Sequence, residues 1–165
     1  MATNDLLQKL DGGADFGAST SHRRQTEYFL ATLTNGGGAP AVVTLTAGTW
    51  VAFDNTKTGA DQMLYVKEAA NVAGGNTLVV GVVLKDVSTE TLAAGASADV
   101  QFEVVIAGYV AVANVTTGVT AGTRVVVDTT AGRGDAAAAG EIPCGVVLTT
   151  IPAGNQGEVF VIKNF

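Results

Sequence analysis

The chain holds one cysteine (Cys144), one histidine (His22) and one tryptophan (Trp50) in 165 residues. A lone thiol forms no internal disulfide, and a metal centre of histidine and cysteine ligands is excluded by count. Cys144 stands among Ile142, Pro143, Gly145 and Val146, the surroundings of a buried thiol, and nothing local supports a Cys144–His22 thiol–imidazole pair. Lysine and arginine total 9 against 15 acidic residues, for a net charge of −6. Phosphate binding draws on clustered cations, so no nucleic-acid partner is expected. The acidic surplus favours solubility. Glycine, threonine or a charge interrupts every apolar run before the ~20 residues that span a bilayer, so no membrane partner is expected either. The opening MATNDLLQKL lacks the basic start and apolar core of a secretory signal, which predicts a product made in a cytoplasm.

What remains is strand and turn composition. Apolar residues make up 47% of the chain but aromatics only 6%, so the interior is built from Val, Ala, Leu and Ile between Thr and 21 glycines. Short apolar segments separated by Gly and Asn/Asp punctuation predict strands over 41–46, 49–54, 63–67, 77–86, 99–106, 108–114, 123–129, 143–149 and 157–163. In VQFEVVIAG, Val100, Phe102, Val104 and Ile106 alternate with Gln101 and Glu103, the pattern of a half-buried strand. LVVGVVL and RVVVD are nearly continuous apolar runs, which predicts strands covered on both faces. The class is all-β, as a small pseudo-symmetric β-barrel or β-sandwich with a flexible N-terminal arm.

The pseudo-symmetry comes from a repeated phrase. LTAGTWVAFD, Leu45 to Asp54, returns as VTAGTRVVVD, Val119 to Asp128; GVVLKD at Gly81 is answered by GVVLTT at Gly145. A small-residue turn and a final strand follow each copy. Ala-Gly makes a tight turn and Thr opens a strand, so the phrase reads as scaffold. The two copies suggest one β domain over 31–165 built from halves of about 40–110 and 111–165. Residues 1–30 read as the arm, with Leu6, Leu7 and Leu10 on one face of a short amphipathic helix. TEYFLATLT, from Thr26 to Thr34, reads as a first strand or as the hinge between arm and body.

Few residues suggest chemistry. Asp54 and Asp61 flank DNTKTGAD, which has oxygens for Ca²⁺ but no EF-hand pattern and a lysine in its midst; an ordinary solvated turn is the competing reading. Arg133-Gly134-Asp135 spells an adhesion tripeptide but is also ordinary turn chemistry. No catalytic residue, metal or cofactor is expected, and the protein reads as a non-enzyme. Trp50 stands where the second copy has Arg124, as a core-edge residue or as an interface anchor.

The segments VTAGTRVVVDTTAGRGDAAAAGEIPCGVVLTTIPAGNQGEVFVI and LTAGTWVAFD with GVVLKDVSTETLAAGASADVQFEV resemble the head decoration, or capsid cement, proteins of tailed bacteriophages, over roughly residues 40–165. That resemblance implies a small β protein on the outer capsid surface of a virion, clamping major capsid protein subunits together. It also implies a homo-oligomer, a trimer or sometimes a dimer, with a terminal arm lying on the shell. The arm and its root supply the candidate partner-binding residues: Leu6, Leu7, Leu10, Phe16, His22 and Arg23, then Arg24, Tyr28 and Phe29, joined by Trp50. TEYFLATLT is also a candidate to add to an open sheet edge in a neighbour. The rivals are a structural phage tail or spike subunit, which would self-assemble without a shell, and a carbohydrate-binding β-sandwich, which wants exposed aromatics.

Overall fold

The computed structural model describes residues 24–71 and 78–163. Eleven strands form: β1 (Arg24–Thr34), β2 (Thr44–Leu45), β3 (Trp50–Phe53), β4 (Val66–Glu68), β5 (Val79–Val83), β6 (Val87–Ser88), β7 (Ser97–Asn114), β8 (Arg124–Val127), β9 (Gly134–Ala136), β10 (Gly145–Val147) and β11 (Gln156–Val161). Apart from a 3-10 turn at Gly59–Met63, no helix interrupts them among the described residues. β2 and β6 pair separately, and the other nine strands form one antiparallel sheet.

The strand order is β4-β3-β5-β7-β11-β10-β8-β9, with β1 also on β7. The first sequence copy supplies β4-β3-β5-β7 and the second supplies β9-β8-β10-β11, so the order reads the same outward from the β7–β11 junction. The equivalence extends to single hydrogen bonds. Gly48 N–H donates to the Val83 carbonyl at 2.9 Å, and Gly122 N–H to that of Val147 at 2.8 Å. Leu84 N–H reaches the Glu103 carbonyl at 3.1 Å, and Leu148 N–H that of Glu158 at 2.9 Å. The turn N–H of Ala47 is capped by Asp86 Oδ1, and that of Ala121 by Thr150 Oγ1. Gly48 and Gly122 both lie at φ 84°, where an L side chain is strained, and this explains the shared Ala-Gly-Thr.

β7 is the spine. Its first part pairs with β1 and its last part with β11, and the partner changes at Gly108, opposite both Arg24 and Val161. The predicted strands 99–106 and 108–114 are therefore one strand. Single parallel bridges draw the sheet round in each half: Leu30 of β1 to Tyr65, just before β4, and Val115, just past β7, to Gly134 of β9. A bridge is not a ladder, so the barrel form of the expectation is corrected: the sheet is large, antiparallel and unclosed. The all-β class stands.

Two apolar cores result. Phe29, Leu45, Val51, Val66, Val80, Val83, Phe102, Val104 and Ile106 fill the first half. Trp50, Ala52, Val79, Val82 and Val105 pack instead with Val110, Val125, Val127, Cys144, Val147, Val159 and Val161 of the second. β3 and β5 thus bury both faces, as the run LVVGVVL predicts for β5. The same expectation for RVVVD is corrected: in β8 Val125 and Val127 are buried, but Arg124 is exposed and Val126 half-buried, because nothing among the described residues covers that face. Gly81 fits where the Val105 carbonyl leaves no room for a Cβ.

β1 revises the arm. Residues 24–34 pair along β7, and Phe29 and Ala31 are buried, so the β body takes in residues 24–30 that composition assigned to the arm. TEYFLATLT is a strand of its own chain, and its edge against β7 is not available to a neighbour. Thr26, Thr32 and Thr34 hydroxyls tie it to Glu103, Asp99 and Ser97 across the ladder. β9 was not predicted, because Gly-Asp-Ala has no strand propensity and pairs by position beside β8.

Candidate partner-binding surface

The polar groups singled out in the sequence are engaged in holding the fold. Burial pushes the Cys144 thiol up to about 12, and it donates to the Val125 carbonyl at 3.3 Å. A thiol so protonated is no nucleophile at neutral pH, and His22 lies outside the described residues. Asp54 accepts from the Thr56 hydroxyl at 2.8 Å and faces Lys67 at 3.5 Å. Although partial burial raises its pKa, the Thr56 hydrogen bonds and Lys67 outweigh that and hold it below the usual value. The Asp61 carbonyl closes the 3-10 turn by accepting from Leu64 and Tyr65. Among the described residues, no group of three or more His, Cys, Asp or Glu is placed to hold a metal ion.

Arg133-Gly134-Asp135 is not a loop apex. Arg133 Nη1 donates to the Val115 carbonyl at 3.1 Å, Gly134 is a buried residue of β9, and Asp135 accepts from the Thr117 hydroxyl. A Cβ on Gly134 would stand 2.6 Å from Val125 Cγ1 and 3.1 Å from Trp50 Nε1. This glycine makes room for the tryptophan.

Trp50 is fully buried, and its indole N–H donates to the Asn114 carbonyl at 3.1 Å. It joins the first half to the second through Gly134 and Gly145, whose Cβ would lie 3.0 Å from Trp50 Cη2. The interface-anchor expectation is corrected to this extent: the interface is internal, and no indole surface remains for a partner. Phe29 is likewise buried, edge-on to Phe53 with centroids 6.1 Å apart. Of the described candidates, Arg24 and Tyr28 are exposed, Tyr28 by 66%. Leu6, Leu7, Leu10, Phe16, His22 and Arg23 lie outside the described residues.

A polar network surrounds the middle of β1. The Tyr65 hydroxyl donates to Asp99 Oδ2 at 2.8 Å, Thr32 donates to Asp99 Oδ1 at 2.6 Å, and Lys57 sits 4.1 Å from the Tyr65 ring centroid while donating to Thr32. The Thr32 and Tyr65 hydrogen bonds hold the Asp99 carboxyl below its usual pKa, and the same carboxylate pushes the Tyr65 phenol up.

Sequence reasoning missed a second surface. Register places Arg124, Val146, Phe160 and Tyr109 in one row across β8, β10, β11 and β7. Phe160 is 46% and Leu148 44% exposed, while Val159 and Val161 point into the core. The alternation in GEVFVI carries this signal, but which set faces inward depends on the curl of the sheet.

Fold and surface together define a doubled all-β protein with a large antiparallel sheet. No protein-family model matches the chain, and no curated protein matches it. Among solved structures, it is similar to the N base of head fibre gp8.5 of bacteriophage phi29, at a TM-score of 0.49 and 14% identity, covering 84% of this chain and 95% of that one. That similarity assigns neither family nor function.

Proposed function

We propose that the protein is a capsid decoration protein, a non-enzymatic clamp on the outer surface of a phage head that stabilises contacts between major capsid protein subunits. The observation that carries the reading is the repeated unit itself. The segments that resemble capsid cement proteins are the ones that build the doubled sheet, turn for turn and hydrogen bond for hydrogen bond. Such a body suits a clamp because its two halves share one spine strand and are locked by Trp50, so force on one half is passed to the other through packed side chains.

Contact with the shell is assigned to the first residues and their root, where exposed Arg24 and Tyr28 open β1. Several copies held together would bind through avidity, each contact being modest. Cosedimentation with undecorated, expanded heads tests the reading. Saturable binding, weakened by removal of residues 1–23, is expected. Protein left in the supernatant at all concentrations overturns it, and spontaneous rings or fibres without shells favour a tail or spike subunit.

A further inference from the structure

We propose that Asn35–Gly36 is a self-modification site: the asparagine locks a loop in the folded protein and deamidates once the chain unfolds, so that prolonged unfolding becomes irreversible. The site stands apart from the decoration reading, and neither falls with the other.

Asn35 and Gly36 form the one Asn-Gly step in the sequence. In such a step the backbone nitrogen of the glycine, unhindered by a side chain, can attack the asparagine Cγ. A bond forms between Gly36 N and Asn35 Cγ as the Cγ–Nδ2 bond breaks, and the Nδ2 group leaves as ammonia with the proton from Gly36 N. Water then opens the succinimide at either carbonyl, giving aspartate or its β-linked isomer. One amide and one water are consumed, and one carboxylic acid and one ammonia are produced.

The fold withholds the mobility this attack needs. Asn35, just after β1, is a buried polar residue only 4% exposed. Its Nδ2 donates to the Ala39 and Leu92 carbonyls at 2.9 Å each and lies 3.3 Å from that of Ala93, while its Oδ1 accepts from Gly37 N–H at 3.0 Å. Carbonyls on one side and an N–H on the other fix which end of the amide is nitrogen. The backbone is held as well, since Asn35 N–H donates to the Ala96 carbonyl at 2.9 Å and its carbonyl accepts from Gly95 N–H at 2.8 Å. Turning Cγ toward Gly36 would break the side-chain bonds together. Glycine at 36, by contrast, is not required by the fold: a Cβ there would meet nothing within 4 Å, and its φ lies outside the left-handed region.

The product cannot replace the reactant. A carboxylate at 35 would set oxygen against the Ala39 and Leu92 carbonyls with no donor between them, and would bury a charge. Those carbonyls join the stretch after β1 to the turn before β7, beside the Ala41–Leu92 bridge. A chain modified while unfolded therefore loses its way back.

Peptide mapping of the full chain, incubated either native or in urea in the same mildly alkaline buffer, is the test. Deamidation at Asn35 is expected to run at least tenfold faster in urea, and equal rates overturn the proposal. Gly36→Ala should slow the reaction in urea tenfold or more while the variant still folds; an unchanged rate in urea shows that Gly36 is not the nucleophile and overturns it. Asn35→Asp should have a lower urea midpoint than wild type or no folded state. If it fails to fold, wild type aged in urea and then diluted gives the same reading: the deamidated fraction should stay unfolded or refold with a lower midpoint. Aspartyl chains that regain the wild-type midpoint overturn the irreversible step.

Discussion

Replacing Trp50 by alanine should cost more than any other single truncation in the chain. The side chain is wholly buried at the junction of the halves, against the backbone of Gly134 and Gly145. Deleting a buried tryptophan of this kind costs about 3–5 kcal/mol, through lost transfer energy and the cavity left behind. The Asn114 carbonyl also loses its donor, adding about 1 kcal/mol. A domain of this size is stable by roughly 5–15 kcal/mol, so the variant should retain a transition but at a much lower urea midpoint. Arg124→Ala, at the matching place in the second copy, should change stability by less than about 0.5 kcal/mol because that side chain is exposed. Far-UV circular dichroism in urea follows both variants without relying on the lost indole. A Trp50→Ala cost below about 1 kcal/mol, or an equal cost at both positions, would show that the tryptophan does not join the halves.

Gly48→Ala should destabilise more than Gly122→Ala by urea titration. Both share the strained φ of 84°, but only Gly48 has a backbone carbonyl, that of Val112, 2.8 Å from the added methyl, while Gly122 faces open space. Cys144 should react with a thiol reagent at the rate of unfolding and gain reactivity in denaturant, since its pKa is about 12 and the side chain is buried; fast labelling of the native protein would contradict this. Asp54, Asp99 and Asp128 have folded pKa values below the ordinary 3.8, so the unfolded chain takes up protons first as pH falls. Their stabilisation is complete above that value and declines below it through the folded pKa values. Asp99→Asn should therefore flatten the fall of the urea midpoint in acid, and an unchanged acid slope would count against the Thr32–Asp99–Tyr65 network.

The repeat was the most legible feature, because identical local chemistry forces identical turns. Ala-Gly-Thr had to place Gly48 and Gly122 alike, and GVVL had to present alternate valines alike. Burial on both faces of β5 was readable from its valines on either side of Gly81. Less was readable where position overrode propensity. Gly-Asp-Ala became β9 because β8 needed an edge partner, and Arg24 and Gln25 joined β1 because β7 runs long enough to pair them. The fate of Trp50 against Arg124 was not readable, since equivalent sites in two copies differ only in what the other half covers. The same holds for Phe160: alternation gave its partners on the strand, not the side that solvent would take.

Cryo-electron imaging of undecorated, expanded heads incubated with the full chain bears most directly on the proposed function. The expected result is added density on the outer surface, repeated at symmetry-related positions and bridging neighbouring major capsid protein subunits, with a shape that accepts the doubled sheet. Heads that remain bare at saturating protein, or protein that assembles alone into rings or fibres, would contradict it.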